Sequence, residues 1–207
     1  GKPLALCREI EIPRAVANLR FFAAAARTFG SESQHGEAGL NIVLRPPLAV
    51  VATISPWNLP LYLFTWKLAP ALAAGCTVVA KPSEVTPATA TAFARLATRV
   101  GLPKGVLNVV HGEGAAVGEA LVRHPAVKAV SFTGSTAVGR RIGAICGEQL
   151  KKVSLELGGK NATLAFDEGL QPMGAGTLRL TGAAEALEGL TAAGVIGRRA
   201  AATARTV

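Results

Sequence analysis

Three consecutive stretches, CTVVAKPSEVTPATATAFARLATRVG, GVLNVVHGEGAAVGEALVRHP and KAVSFTGSTAVGRRIGAICG, each run from a short apolar strand through Gly, Pro or Ser punctuation into a helix. Strands alternating with helices in this way call for βαβ units, because parallel strands need a crossover that leaves one end of the sheet and returns to the other. The expected fold class is therefore α/β, a doubly wound, Rossmann-like parallel sheet. A further strand in LAVVATISPWN and a helix in LYLFTWKLAPALAAG, closed by Gly75, precede the three units. Upstream, IPRAVANLRFFAAAARTF places Val16, Leu19, Phe22 and Ala26 at helical spacing, and GSESQHGEAGLN reads as a loop or short exposed hairpin.

Ligands of doubly wound sheets bind beyond the carboxyl ends of the strands. Here those ends carry Ser55-Pro56-Trp57-Asn58, Lys81-Pro82-Ser83-Glu84, Gly112-Glu113-Gly114 and Thr133-Gly134-Ser135, all polar or Gly-rich. GEGAAVG is one residue longer than the dinucleotide fingerprint and by itself fits tight turn packing better than phosphate binding. SFTGST is the stronger signal, since a strand meets Gly134 and Ser135 directly before a helix, whose free N–H groups and dipole favour an anion. In KKVSLELGGKNATLAF, Glu156 sits beside Gly158 and Gly159, where a ligand can approach closely, and is a candidate general base.

Composition narrows the classes. The 207 residues are 50% hydrophobic and 17% charged, as in one globular domain or a little more. The net charge of +9 comes from scattered Lys and Arg without interleaved aromatics, which argues against nucleic acid. No apolar run is long enough to span a membrane, and no signal peptide is visible. Cys7, Cys76 and Cys146 have neither metal nor disulfide spacing, so no metal site is expected and the cytoplasm is the expected compartment.

ISPWNLP, AKPSE, SFTGS and LELGGK, in that order over residues 1 to 169, resemble the NAD-dependent aldehyde dehydrogenase family. The wording around GKPLALCREIEIPRAVANLRFFA is most similar to the branch that takes a semialdehyde arising in tryptophan breakdown. The resemblance implies a partial cofactor domain for NAD, a small-molecule aldehyde substrate and oxidation of that aldehyde to a carboxylic acid. Asn58 would donate its amide N–H to the oxyanion, a contact worth about 3 kcal/mol in such sites. Lys81, Ser83 and Glu84 would form the loop that holds the adenosine ribose, with Glu84 favouring NAD over NADP. Gly134 and Ser135 would meet the pyrophosphate, with Phe132 and Val138 beside the cofactor and Gly114 and Gly118 on the adenine side. Ile54, Pro56 and Trp57 would floor the crevice, although Trp57 read alone suits plain core. His111 and His124 receive no role.

By the same resemblance a cysteine thiolate attacks the aldehyde, a hydride passes to the nicotinamide, and Glu156 activates the water that hydrolyses the thioester. The nucleophile belongs some thirty to forty residues after that Glu, where EALEGLTAAGVIGRRAAATARTV contains no Cys. Residues 170 to 207 also turn Ala-, Gly- and Arg-rich. The expectation is a family segment that stops near Gly169 before the nucleophile, followed by a non-homologous, poorly ordered tail, loosely helical in GAAEALEGLTAAG. Such a chain would be inactive alone. The alternative function is a non-catalytic NAD-binding fragment or isoform that associates with full-length subunits through residues 34 to 47, which resemble part of the family's subunit-bridging segment.

Overall fold

The structure, a computed structural model, describes residues 2–37, 39–159, 170–173 and 177–180. It divides into two compact units, Gly1–Gly158 and Gly159–Val207. In the second, β8 (Leu170–Met173) and β9 (Thr177–Leu180) pair antiparallel, with Leu170 opposite Leu180. The helix expected in GAAEALEGLTAAG lies outside the described residues.

The first unit opens with α1 (Leu4–Leu6), one π-helical stretch (Cys7–Glu11) and α2 (Ile12–Thr28), which has Pro13 in its first turn, where a missing N–H is harmless. Of the apolar positions read above, Leu19 packs against the core and Phe22 is half-buried, whereas Ala26 is exposed. Ala15 and Asn18 are buried, whereas Val16 is 40% exposed. Asn18 is anchored to α3 (Pro60–Ala73): its Nδ2 donates to Tyr62 O at 3.2 Å and Thr65 Oγ1 at 3.1 Å. Glu11 accepts a bond from the Leu61 N–H at 2.7 Å, satisfying a donor that the first turn of α3 leaves free. Next come β1 (Ser33–Gly36) and β2 (Gly39–Ile42), an exposed antiparallel hairpin.

Five parallel strands follow: β3 (Val50–Ile54), β4 (Thr77–Lys81), β5 (Leu107–Val109), β6 (Val127–Thr133) and β7 (Lys152–Glu156), in spatial order β5-β4-β3-β6-β7. Helix α3 and α4 (Ala88–Arg99) cover one face, where Phe64, Leu68, Val78, Ala80 and Ala90 form a core. A π-helical turn (Gly114–Gly118) leads into α5 (Glu119–Arg123), which with α6 (Thr136–Glu148) covers the other face over Ala52, Ile54, Val130 and Phe132. Val50, Ala52 and Ile54 of β3 pack into this second core, and the alternate residues Val51 and Thr53 are buried as well, as in a strand covered on both sides. Burying a side chain such as Phe64 or Leu68 contributes about 1.5–3 kcal/mol. The expected doubly wound α/β fold is the observed one.

Gly75 ends α3 as expected. At φ +78° it turns the chain left-handed, so that its N–H reaches Leu72 O and the Cys76 N–H reaches Ala71 O, each at 3.0 Å. The chain then enters β4. Leu150 makes the same kind of turn after α6 at φ +53°, with its N–H on Gly147 O and the Lys151 N–H on Cys146 O.

Candidate functional site

The strand order reverses at β3. From there the chain builds outward through β4 and β5, then crosses back to lay β6 against the other side of β3. Register puts Lys81, Ile54, Phe132 and Leu155 in one row across the carboxyl ends of four strands. Between that row and helices α5 and α6 lies a crevice of about 440 Å3. Ile54, Gly114, Gly118, Phe132 and Val138, five of the residues singled out above, line it. Packing within the chain does not require the two glycines. A Cβ on Gly118 would lie 3.7 Å from the Lys81 stem, and one on Gly114 would project into open space.

Gly134, by contrast, is required: a Cβ there would lie 2.5 Å from Phe132 Cζ, inside van der Waals contact. It hands the chain to Ser135, the N-cap of α6, whose Oγ accepts from the Val138 N–H at 3.4 Å. The remaining free N–H groups of that first turn, with the helix dipole, suit an anionic group at the end of the crevice.

The Lys81 side chain is buried, whereas Glu84 reaches solvent. The Lys81 ammonium donates to Glu84 Oε2 at 3.0 Å and Pro82 O at 3.2 Å. Its backbone N–H and the Lys81 ammonium hold the Glu84 carboxyl below the usual carboxylate range, so it stays ionised as an acceptor. Ser83 Oγ accepts from the Val85 N–H at 3.3 Å and shapes this loop. Glu84 borders a second, open hollow with Arg95 and His111, not the crevice itself. His111 Nε2 is 3.0 Å from Thr91 Oγ1. Pro56 is half-buried and Trp57 is 63% exposed; neither lines the crevice, and the plain-core reading of Trp57 does not hold.

Asn58 is exposed beyond β3, with its carbonyl 3.4 Å from Lys2 Nζ. Glu156 ends β7 opposite Thr133, and its carbonyl accepts the Gly134 N–H at 3.1 Å. The sequence reading missed Lys67, a buried amine on α3 that donates to Ser131 Oγ at 3.3 Å. Burial lowers its pKa to about 8, and Glu156 opposes that shift through space. The available signal was a single charged residue inside the otherwise apolar LYLFTWKLAPALA.

All three cysteines lie among the described residues. Cys76 is buried at the start of β4, away from the strands' carboxyl ends, and Cys7 is half-buried in the π-helical stretch near the N-terminus. Cys146 is buried in the last turn of α6, where desolvation raises the thiol pKa and disfavours the thiolate. Among the described residues no group of three or more His, Cys, Asp or Glu is placed to hold a metal, and no helix is long and apolar enough to cross a membrane.

A doubly wound sheet with a glycine-lined crevice at its switch point defines a Rossmann-like domain whose donor set fits a nucleotide: apolar walls for a base, a helix N-terminus for phosphate, and a Lys-Glu loop for hydroxyls. The aldehyde dehydrogenase family model matches residues 1–169, and the chain belongs to that family. It is 52% identical over 170 residues to 2-aminomuconic semialdehyde dehydrogenase of Bos taurus, covering 81% of this chain and 35% of the relative. An aldehyde dehydrogenase of Mycobacterium tuberculosis solved with NAD+ superposes with a TM-score of 0.74 at 45% identity, over 77% of this chain and 33% of that one. The NAD+ complex from Bacillus cereus gives 0.77 at 38% identity, over 81% and 34%. The chain thus spans about a third of the length of the relatives it matches.

Proposed function

We propose that this chain is an NAD-binding segment of an aldehyde dehydrogenase. The observation that carries the reading is the crevice, where Ile54, Gly114, Gly118, Phe132 and Val138 converge from β3, β6, α6 and the π-helical turn. Ser135 and the α6 N-terminus would hold the pyrophosphate, and Lys81 and Glu84 would hold the ribose hydroxyls. NAD, when bound, would supply the hydride acceptor. The relatives' names support an aldehyde, and within that class a semialdehyde such as the 2-aminomuconic one, oxidised to its acid.

In that reaction Asn58 donates its amide N–H to the developing oxyanion, and Glu156 takes the proton of the attacking water. Lys67 lies near Glu156 on the same face of the sheet, and that carboxylate offsets part of the effect of burial on the amine. No cysteine of this chain stands where a nucleophile is needed, so the chain alone is inactive. A second reading follows from the hairpin β1–β2, which exposes Leu40 and Ile42 at 60% and 56%, with Leu44 beyond it at 79%. That apolar strip suits association with full-length subunits or with another copy. The three free cysteines accord with a cytoplasmic setting, and the family match ending at 169 supports a non-homologous tail.

The test is a thermal melt of the purified chain with and without NAD. A ligand that binds only the folded state at a hundred times its Kd stabilises it by about 2.7 kcal/mol, so the melting temperature should rise with NAD. A melt indifferent to NAD at millimolar concentration refutes the reading.

A further inference from the structure

Beside the residues already assigned, the crevice is lined by one cation and one anion, Arg141 of α6 and Glu119 of α5. They form a bridge between the two helices that wall it. Arg141 Nε donates to Glu119 Oε2 and its Nη2 to Glu119 Oε1, both at 2.8 Å. Two parallel bonds fix the plane of the guanidinium as well as its position. Arg123 also donates to Glu119, through Nε at 2.9 Å, yet it does not line the crevice.

Position along α6 gives Arg141 its meaning. Ser135 caps the helix, Val138 follows one turn later, and Arg141, Ile142 and Ile145 continue along the crevice. With a rise of 1.5 Å per residue, Arg141 stands about 9 Å along the axis from the cap. A nucleotide whose phosphates sit at Ser135 therefore brings its base to the far end, between the apolar side chains of Ile54, Val122 and Ile142. A planar guanidinium at the rim of such a slot is suited to stack on a flat ring.

We propose that Arg141 is a cofactor-orienting residue whose guanidinium, pinned by Glu119, covers the adenine ring at the end of the crevice away from Ser135. This rests on the nucleotide reading above. The competing role is a surface ion pair that only joins α5 to α6. Arg123 separates the two, since it shares the same carboxylate but has no access to the crevice.

The experiment measures Kd for NAD and for ADP-ribose by titration calorimetry on the 207-residue chain and on R141A, R141K and R123A, with ligand-free melts of each. R141A should raise both Kd values by the same factor, about three- to fivefold, the size of an exposed cation–π contact. R141K should fall between R141A and the parent chain, because lysine keeps the charge and loses the plane. R123A should bind like the parent. Equal binding by R141A and the parent overturns the proposal and leaves the NAD reading intact. So does equal weakening in R123A, or a loss for NAD that ADP-ribose does not share. A parent chain that binds neither ligand overturns both.

Discussion

Replacing Lys67 by Met should stabilise the domain near neutral pH and remove a specific part of its pH dependence. Lys67 projects from α3, is 5% exposed, and donates to the Ser131 hydroxyl. Burial lowers its pKa from 10.5 to about 8. A lysine with a depressed folded-state pKa binds its proton less tightly in the native chain than in the unfolded one. The destabilisation is therefore fully present below pH 8 and is relieved as pH rises from about 8 to 10.5. That gap corresponds to roughly 3 kcal/mol. Met keeps an unbranched stem without the charge but forfeits the bond to Ser131, about 1 kcal/mol. The net gain is roughly 2 kcal/mol, or about 4–8 °C in Tm for a domain of this size. Melts of the two chains side by side cancel every other titration. The Met variant should lead near pH 7 and lose that lead by about pH 10. A variant that melts lower near neutrality, or a lead that does not shrink with rising pH, refutes the argument.

Gly134→Ala would drive its methyl into the Phe132 ring, which is itself buried in the crevice floor. The expected loss is about 1–3 kcal/mol from overpacking, read by chemical denaturation together with weaker NAD binding; an unchanged midpoint would show that the ring moves aside freely. Leu150→Gly should do the reverse. Leu150 is 94% exposed at φ +53°, so glycine removes backbone strain and loses little packing, for a gain of about 1 kcal/mol by the same denaturation; a lower midpoint would refute this.

Some of the site was legible because its signals are local. SFTGST contains a strand end, a cap and a helix start within six residues, and the structure forms them there. The exposed hairpin and the Gly75 stop were readable for the same reason: left-handed turns and polar, Gly-rich stretches need no distant partner. Burial was less legible. Trp57 read alone suited core and is exposed, while Lys67 and Asn18, which the sequence reading did not single out, are polar and buried. A polar side chain enters the interior when a partner waits on another element, and Ser131 and Thr65 lie 64 and 47 residues away.

By itself the sequence determined the alternation of strands and helices, the loops that end the strands, and the kinship those loops carry. Hydrophobic period and turn chemistry act over a few residues, so they survive in the linear order. Only the tertiary structure decided that β6 lies beside β3, that Phe132 therefore stands next to Ile54, and that Arg141 meets Glu119 across the crevice. Those contacts join residues 22 to 78 positions apart, and the chain brings them together because each strand must bury both of its faces.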